Sequence, residues 1–231
     1  MANFPFDLVM FDLDGTLVDS ALDLSHAVNH ALAGIDREPV EPEKTRTMIG
    51  GGTDMMLTKA LEATGGLVDQ ATFARLSQRL LEHYWAHIAD HTRPYPGCLD
   101  ALDMLADNGC KLAVCTNKAE KPARDLIEAL GMTNRFAVIY GGDTLGRERA
   151  KPRGDMLRAA MADCGVDHGV GGRGAMMGDS TFDVRAARDA GVPVVTYRHG
   201  FNDVPVEELG GDVLIDHFDE LVDALHKLGA R

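Results

Sequence analysis

The chain has 231 residues, a hydrophobic share of 45% and a formal net charge of −13, enough to bury one large α/β core or a core with a small second domain. So acidic a balance, with no Lys/Arg cluster, argues against nucleic acid or an anionic membrane surface as partner, because both require concentrated basic charge to displace counterions. No stretch approaches the ~18 unbroken apolar residues of a membrane helix, and Asp7, Asp12 and Asp14 within the N-terminal apolar run argue against a signal peptide. Cys98, Cys110, Cys115 and Cys164 contain no C-x-x-C pair and are too sparse for a disulfide framework, so a reducing, cytoplasmic setting is expected.

Strands are expected at Asp7 to Asp12, Lys111 to Thr116, Phe136 to Tyr140, Ala175 to Met177, Val192 to Tyr197 and Asp212 to Ile215, with helical patterns between most of them. Runs such as Leu8-Val9-Met10-Phe11 and Leu112-Ala113-Val114-Cys115 are apolar on both faces, as central strands of a helix-covered parallel sheet must be. The fold class is therefore α/β, a doubly wound, mostly parallel sheet. Ser20 to about Asp90 instead reads as helix after helix, an inserted α-helical cap. Ser20-x-x-Asp23 has the form of a helix start, a Ser N-cap with an acid in the first turn. Leu76, Leu80, Leu81, Tyr84 and Ile88 keep helical spacing further on. The prolines and glycine of His91 to Gly97 then end the pattern. Hinges are expected there and at Val18-Asp19-Ser20, giving a core of residues 1–18 and 91–231 and a cap of 19–90.

Four segments carry candidate chemistry. In Asp12-Leu13-Asp14-Gly15-Thr16, residues two apart in an extended chain face the same way, so Asp12 and Asp14 can enter one site. Two neighbouring carboxylates repel unless a divalent cation neutralises them, and hard oxygen ligands suit Mg²⁺. Gly15 permits a sharp turn and leaves N–H groups for an anion. The same pattern is also a common turn, and alone it decides nothing. Thr116, followed by Asn117 and Lys118, offers a hydroxyl donor at a strand end, where ligands of such sheets bind. Lys151, after Gly141-Gly142-Asp143, can neutralise a phosphoryl group or an aspartate nucleophile, although most lysines are simply solvated. In Met177-Gly178-Asp179-Ser180-Thr181-Phe182-Asp183, Asp179 offers another metal oxygen and Asp183 lies one helical turn on, with an N-cap at Asp179 or Ser180 as the alternative or coexisting role.

In this order the four segments resemble the signature motifs of the haloacid dehalogenase superfamily, which places a helical cap between its first and second motifs. Asp12 to Ser20, Ile49-Gly50-Gly51-Gly52, Tyr95-Pro96-Gly97, Cys115 to Lys118 and Gly141-Gly142-Asp143 are further similar to phosphoglycolate phosphatases. The resemblance implies a Mg²⁺-dependent phosphatase of a small organic phosphomonoester, 2-phosphoglycolate being the leading substrate. Asp12 would be the nucleophile forming an aspartyl phosphate, and Asp14 the general acid and base. Mg²⁺ would be held by Asp12, the backbone carbonyl of Asp14 and Asp179, with Asp183 ordering a metal water or Lys151. Thr116 and Lys151 would hold the phosphoryl oxygens, and Gly15, Thr16 and Asn117 would join them in substrate binding. The aspartate at position 14 favours phosphoryl transfer over dehalogenation or phosphonate hydrolysis. Gly154 stands where a second proline is usual, which is expected to loosen the loop after Lys151, while Arg147 and Arg149 add positive field or are solvated surface groups.

The cap is expected to choose the substrate. Gly50, Gly51 and Gly52 can present N–H groups to a small carboxylate or form a plain helix-to-helix turn. His83, His87 and His91 are spaced for one helix face, but no H-E-x-x-H pattern or carboxylate partner accompanies them, so zinc is not assigned. Met176-Met177 reads as core strand. A phosphomutase resembling β-phosphoglucomutase, a phosphatase of another metabolite or of pyrophosphate, and a non-catalytic phosphate-binding module are the competing readings. The expected partner is a small-molecule phosphate ester, with the chain a monomer or homodimer.

Overall fold

A computed structural model describes residues 4–166 and 173–229; the ends of the expected core, residues 1–3 and 230–231, and its segment 167–172 lie outside the described residues. The main sheet contains β1 (Leu8–Phe11), β4 (Lys111–Cys115), β5 (Val138–Tyr140), β6 (Gly174–Gly178), β7 (Val194–Tyr197) and β8 (Val213–Ile215). These six correspond to the six expected strands. All neighbouring pairs are parallel, in the spatial order β5-β4-β1-β6-β7-β8.

The two-faced apolar runs separate as their alternation requires. Val9 and Phe11 enter a cluster with Leu102 and Leu105 of α5 (Cys98–Asp107), Leu126 of α6 (Glu120–Ala129) and Leu225 of α9 (Leu221–Gly229). Leu8 and Met10 enter another with Leu157 of α7 (Asp155–Asp163) and Ala187 of α8 (Thr181–Ala190). Helices therefore cover both faces of the sheet.

Between β1 and β4 lie α1 (Ala21–Ala33), α2 (Pro42–Arg46), α3 (Thr53–Ala63) and α4 (Gln70–Ala86). They bury a separate cluster containing Leu24, Val28, Leu57, Leu61, Leu76, Leu80 and Tyr84. Leu81 and Ile88 are partly buried against it, and Ile88 falls beyond the end of α4.

The two expected hinges form a short ribbon, which hydrophobic periodicity does not reveal. Here β2 (Val18–Asp19) pairs antiparallel with β3 (Arg93–Pro94), so the chain leaves and re-enters the core side by side. The helix start at Ser20 is observed, but its expected side-chain cap is not. The Ser20 hydroxyl instead donates to Asp14 Oδ1 at 2.6 Å, a stronger charge-assisted bond. Asp23 likewise turns across to accept from the Thr92 N–H at 2.8 Å and the Thr92 hydroxyl at 2.7 Å. All four cysteines are free and buried. Among the described residues, no helix is long and apolar enough to cross a membrane.

Candidate active site

Strand register collects the candidate residues. Phe11 pairs with Val114 on one side and Met177 on the other. The residues that follow, Asp12, Thr116 and Asp179, therefore emerge together at the carboxyl edge of the sheet, where open α/β folds bind ligands. Lys151 reaches the same edge from the segment between β5 and α7.

The centre is a cluster of three buried acids, Asp12, Asp179 and Asp183, with carboxylate oxygens within 4.8 Å of one another. Lys151 Nζ stands 3.0 Å from Asp12 and 2.6 Å from Asp183. One ammonium cannot neutralise three carboxylates. Burial pushes Asp12 up to about 6 against the opposing pull of Lys151, and the Asp183 charge adds to the rise. Burial, then the charges of Asp183 and Asp12, hold Asp179 well above the usual carboxylate range. For Lys151, burial opposes the charge, but Asp12 and Asp183 outweigh it and keep the ammonium. Hence we read Asp12–Lys151 as an ion pair at neutral pH, with excess negative charge left on the cluster. An all-oxygen, over-charged donor set of this kind fits a hard divalent cation.

The acids differ in how many lone pairs remain. Asp183 Oδ2 accepts from the Asp179 N–H, the Ser180 N–H and the Ser180 hydroxyl, while Oδ1 accepts from Lys151. Asp183 thus fixes the start of α8, with Ser180 as its N-cap, and orients Lys151. Asp12 Oδ1 accepts from the Leu13 N–H at 2.7 Å. Asp179 accepts from the Thr16 hydroxyl and the Phe201 N–H, each at 2.6 Å. Asp12 and Asp179 are the better candidates for direct coordination.

Gly15 and Thr16 do not line the cavity as substrate-binding residues. Their N–H groups bond internally to Val18 and Leu13 carbonyls, and the Thr16 hydroxyl is committed to Asp179. Gly15, at φ 86°, brings the backbone against the Asp179 carboxylate; a Cβ there would also lie 2.9 Å from the Phe201 ring. Both residues support Asp179. Phe201, whose N–H holds that carboxylate, carries no sequence motif.

Asp14 lies outside the acid cluster: Ser20 donates to its Oδ1, and Lys118 Nζ lies 2.7 Å from its Oδ2. The Lys118 ammonium is buried and sits 4.5 Å from the Tyr84 ring centroid, so a core loop and a helix of the inserted unit share it. Burial would lower its pKa, but Asp14 and then Tyr84 hold it above the ordinary lysine value. Sequence reading included Lys118 only as a motif neighbour, although its place two residues after Thr116 was a usable signal.

A cavity of about 40 Å³ joins Asp12, Asp14, Thr116, Asn117 and Lys118 to Ile49, Gly50, Gly52, Thr53 and Met56. Gly51 does not line it, and a Cβ there would meet the Met55 side chain. The glycine segment is the turn between α2 and α3, and Gly52 is the residue before α3. Among the described residues no backbone acceptor takes the N–H groups of Gly50, Gly51 or Gly52. Asn117 Nδ2 donates to the Gly50 and Lys151 carbonyls, tying this turn to the core.

Gly154 does not loosen the Lys151 loop. Its N–H donates to Asp189 at 2.7 Å, and a Cβ would stand 2.6 Å from the Ala190 nitrogen, so close packing on α8 requires glycine. Arg149 pairs with Asp155 and Arg147 with Asp54 of α3; neither lines this cavity, but Arg147 lines the larger one beside it that reaches Lys151.

The model of the haloacid dehalogenase-like hydrolase family matches residues 9–197. A phosphoglycolate phosphatase of Agrobacterium fabrum is 40% identical over 94% of this chain and 91% of its own length. One from Rhodospirillum rubrum is 40% identical over 94% and 90%, respectively. The solved structure of a predicted phosphoglycolate phosphatase from Haemophilus somnus gives a TM-score of 0.88 at 28% identity, covering 95% of this chain and 98% of that one.

The charge excess has a pH signature. With its pKa raised from 3.8 to about 6, Asp12 binds more protons folded than unfolded, so its contribution to stability falls as pH rises across that window. A cation binding the ionised cluster offsets the loss. Thermal unfolding is expected to show a rise in midpoint with added divalent cation that is largest above pH ~7 and shrinks as pH falls through ~6. A cation effect independent of pH would contradict this assignment.

Proposed function

The chain belongs to the haloacid dehalogenase-like hydrolase family, and we propose that it is a Mg²⁺-dependent phosphatase of small phosphomonoesters, with 2-phosphoglycolate as its preferred substrate. The observation that carries this reading is the meeting of Asp12, Asp14 and Thr116 in one small cavity beside the cluster of Asp12, Asp179 and Asp183. A wider cavity of about 320 Å³ shares Gly52, Thr53, Asn117 and Lys118 with it and reaches Lys151, leaving room for the ester beside the acids. Four free cysteines support a reducing, cytoplasmic setting.

Asp12 attacks phosphorus, and the ester oxygen leaves as the Asp12 carboxylate becomes an aspartyl phosphate. Its oxygen fixed by the Leu13 N–H orients the carboxylate for that approach. Asp14 delivers a proton to the leaving oxygen and later takes one from the water that hydrolyses the aspartyl phosphate. Thr116 and Lys151 hold the phosphoryl oxygens; Asp183 keeps Lys151 aimed at Asp12. Asp12 and Asp179, with the Asp14 backbone carbonyl, would hold Mg²⁺, whose charge screens the phosphate from the attacking carboxylate.

The helices between residues 19 and 90 act as the cap that selects the leaving group. Lys118 and the N–H groups of Gly50 and Gly52, which among the described residues meet no backbone acceptor, sit on residues lining the same cavity as Asp12 and suit a substrate carboxylate. Such recognition explains how a strongly acidic protein accepts a substrate with two anionic groups: distant surface charge is screened beyond ~8 Å, and local cations decide.

Asp12→Asn is expected to lower Mg²⁺-dependent phosphate release by ~10⁴-fold or more, measured on a panel of phosphorylated metabolites containing 2-phosphoglycolate. Retained turnover, or sugar-phosphate isomerisation without phosphate release, would reject the phosphatase mechanism. Lys118→Met is expected to reduce kcat/KM for 2-phosphoglycolate by ~30-fold or more, the loss of one buried charge pair, and to cost a phosphomonoester with an uncharged alkyl group less, because that substrate loses only the support Lys118 gives Asp14. Equal losses on both substrates would remove Lys118 from carboxylate recognition.

A further inference from the structure

The sequence spaces His83, His87 and His91 four residues apart; the structure keeps the His83 and His87 rings together, with centroids 4.6 Å apart, but carries His91 elsewhere. Helix α4 ends at Ala86, and His87 Nδ1 lies 2.7 Å from Asp90 Oδ2. His91 lies beyond, in the segment entering β3, with its ring 5.3 Å from that of His26 on α1. Asp23 and His26 are three apart on that helix and share a face. The ligand atoms of Asp23, His26 and His91 all lie within 4.8 Å of one another.

Asp23 is an unusual carboxylate. It is 1% exposed, and buried acids are normally paired with a cation. Its donors are neutral: the N–H groups of His91 and Thr92 and the Thr92 hydroxyl. Among the described residues no ion pair reaches it. The bonds are also uneven, because Oδ2 takes all three donors while Oδ1 has only a share of the His91 N–H at 3.1 Å. Oδ1 thus keeps a lone pair beside two imidazoles that are exposed and, among the described residues, make no hydrogen bond.

We propose that Asp23, His26 and His91 bind one divalent transition-metal ion of the Zn²⁺ type, which ties the first cap helix to the returning hinge strand. Two imidazoles and one carboxylate select Zn²⁺ or Co²⁺ over Mg²⁺, and leave a fourth tetrahedral position for water. With bonds of ~2.0–2.2 Å at tetrahedral angles, ligand atoms sharing the ion stand ~3.3–3.6 Å apart, so the exposed rings need to draw in by up to about 1.5 Å. The site shares no residue with the acid cluster and stands whether or not the proposed substrate is correct. Its position is mechanical: Asp23 and His26 lie just after β2, and His91 just before β3, the two crossings between cap and core.

The test is calorimetric titration of the Mg²⁺-saturated full-length protein with Zn²⁺, together with the visible absorption of bound Co²⁺. Wild-type protein is expected to bind one equivalent that His26→Ala and His91→Ala each weaken by ~100-fold or more, the upper end of what even outer ligand partners cost. His83→Ala and His87→Ala should leave that equivalent intact. Zn²⁺ should raise the unfolding midpoint of wild type more than that of His26→Ala. Absence of the equivalent, its persistence in His26→Ala, or its loss only in His83→Ala or His87→Ala would overturn the site. Because His26 is an exposed helix residue, its variant keeps the test decisive even if His91→Ala perturbs the hinge.

Discussion

Three carboxylates buried around one ammonium are the constraint on which the rest of the structure depends. Their mutual repulsion is tolerated because every surrounding element supplies a donor or a charge. The α8 terminus and the Ser180 hydroxyl hold Asp183, Thr16 and Phe201 hold Asp179, and Lys151 links Asp12 to Asp183. The glycines follow from the same crowding. Gly15 allows a backbone turn against the Asp179 carboxylate, and Gly154 lets α7 begin against α8 close to Lys151. Such a site is poised for positive charge in a way that a neutral, fully satisfied cluster would not be.

A second charge system connects this core to the helices above it. Asp14 is held by Ser20, the residue preceding α1, and by Lys118, which also faces Tyr84 of α4. Asn117 reaches from the adjacent position to the Gly50 carbonyl. Consecutive residues of one core loop therefore reach the cavity beside Asp12 at Thr116, the glycine turn at Asn117, and the core of the inserted helices at Lys118. The supporting loop is itself closely packed: Gly142 donates to the Lys118 carbonyl at 2.8 Å, and Asp143 accepts the first N–H of α6 at 2.7 Å. The Asp14–Lys118 pair consequently joins the first core loop to the inserted helices.

The six main strands and the helical insertion were legible because buried parallel strands and amphipathic helices impose different periods on the sequence. Asp12, Thr116, Lys151 and Asp179 were legible because each sits at a strand end or in an ordered motif. What escaped was set by contacts distant in sequence. The β2–β3 ribbon is too short for a periodic signal, and its Pro94 reads locally as a breaker. Ser20 and Asp23 were correctly placed at a helix start, yet their side chains serve Asp14 and Thr92. Phe201 contributes a backbone N–H, which carries no side-chain identity to recognise. Gly15 and Thr16 belonged to the right motif but support the acids instead of lining the cavity, a distinction that depends on where the turn folds.

The two acidic clusters differ in their donor chemistry. At the sheet edge, the described acidic donors are carboxylate oxygens crowded beyond what one lysine neutralises, a setting for a hard ion. At the hinge, a single buried carboxylate meets two imidazoles, a softer set with less negative charge. The first set is organised by strand register; the second arises only because the chain leaves and returns through adjacent crossings. A linear histidine spacing was therefore misleading for a physical reason: the helix ended between His83 and His91, and the partner that His91 met came from α1.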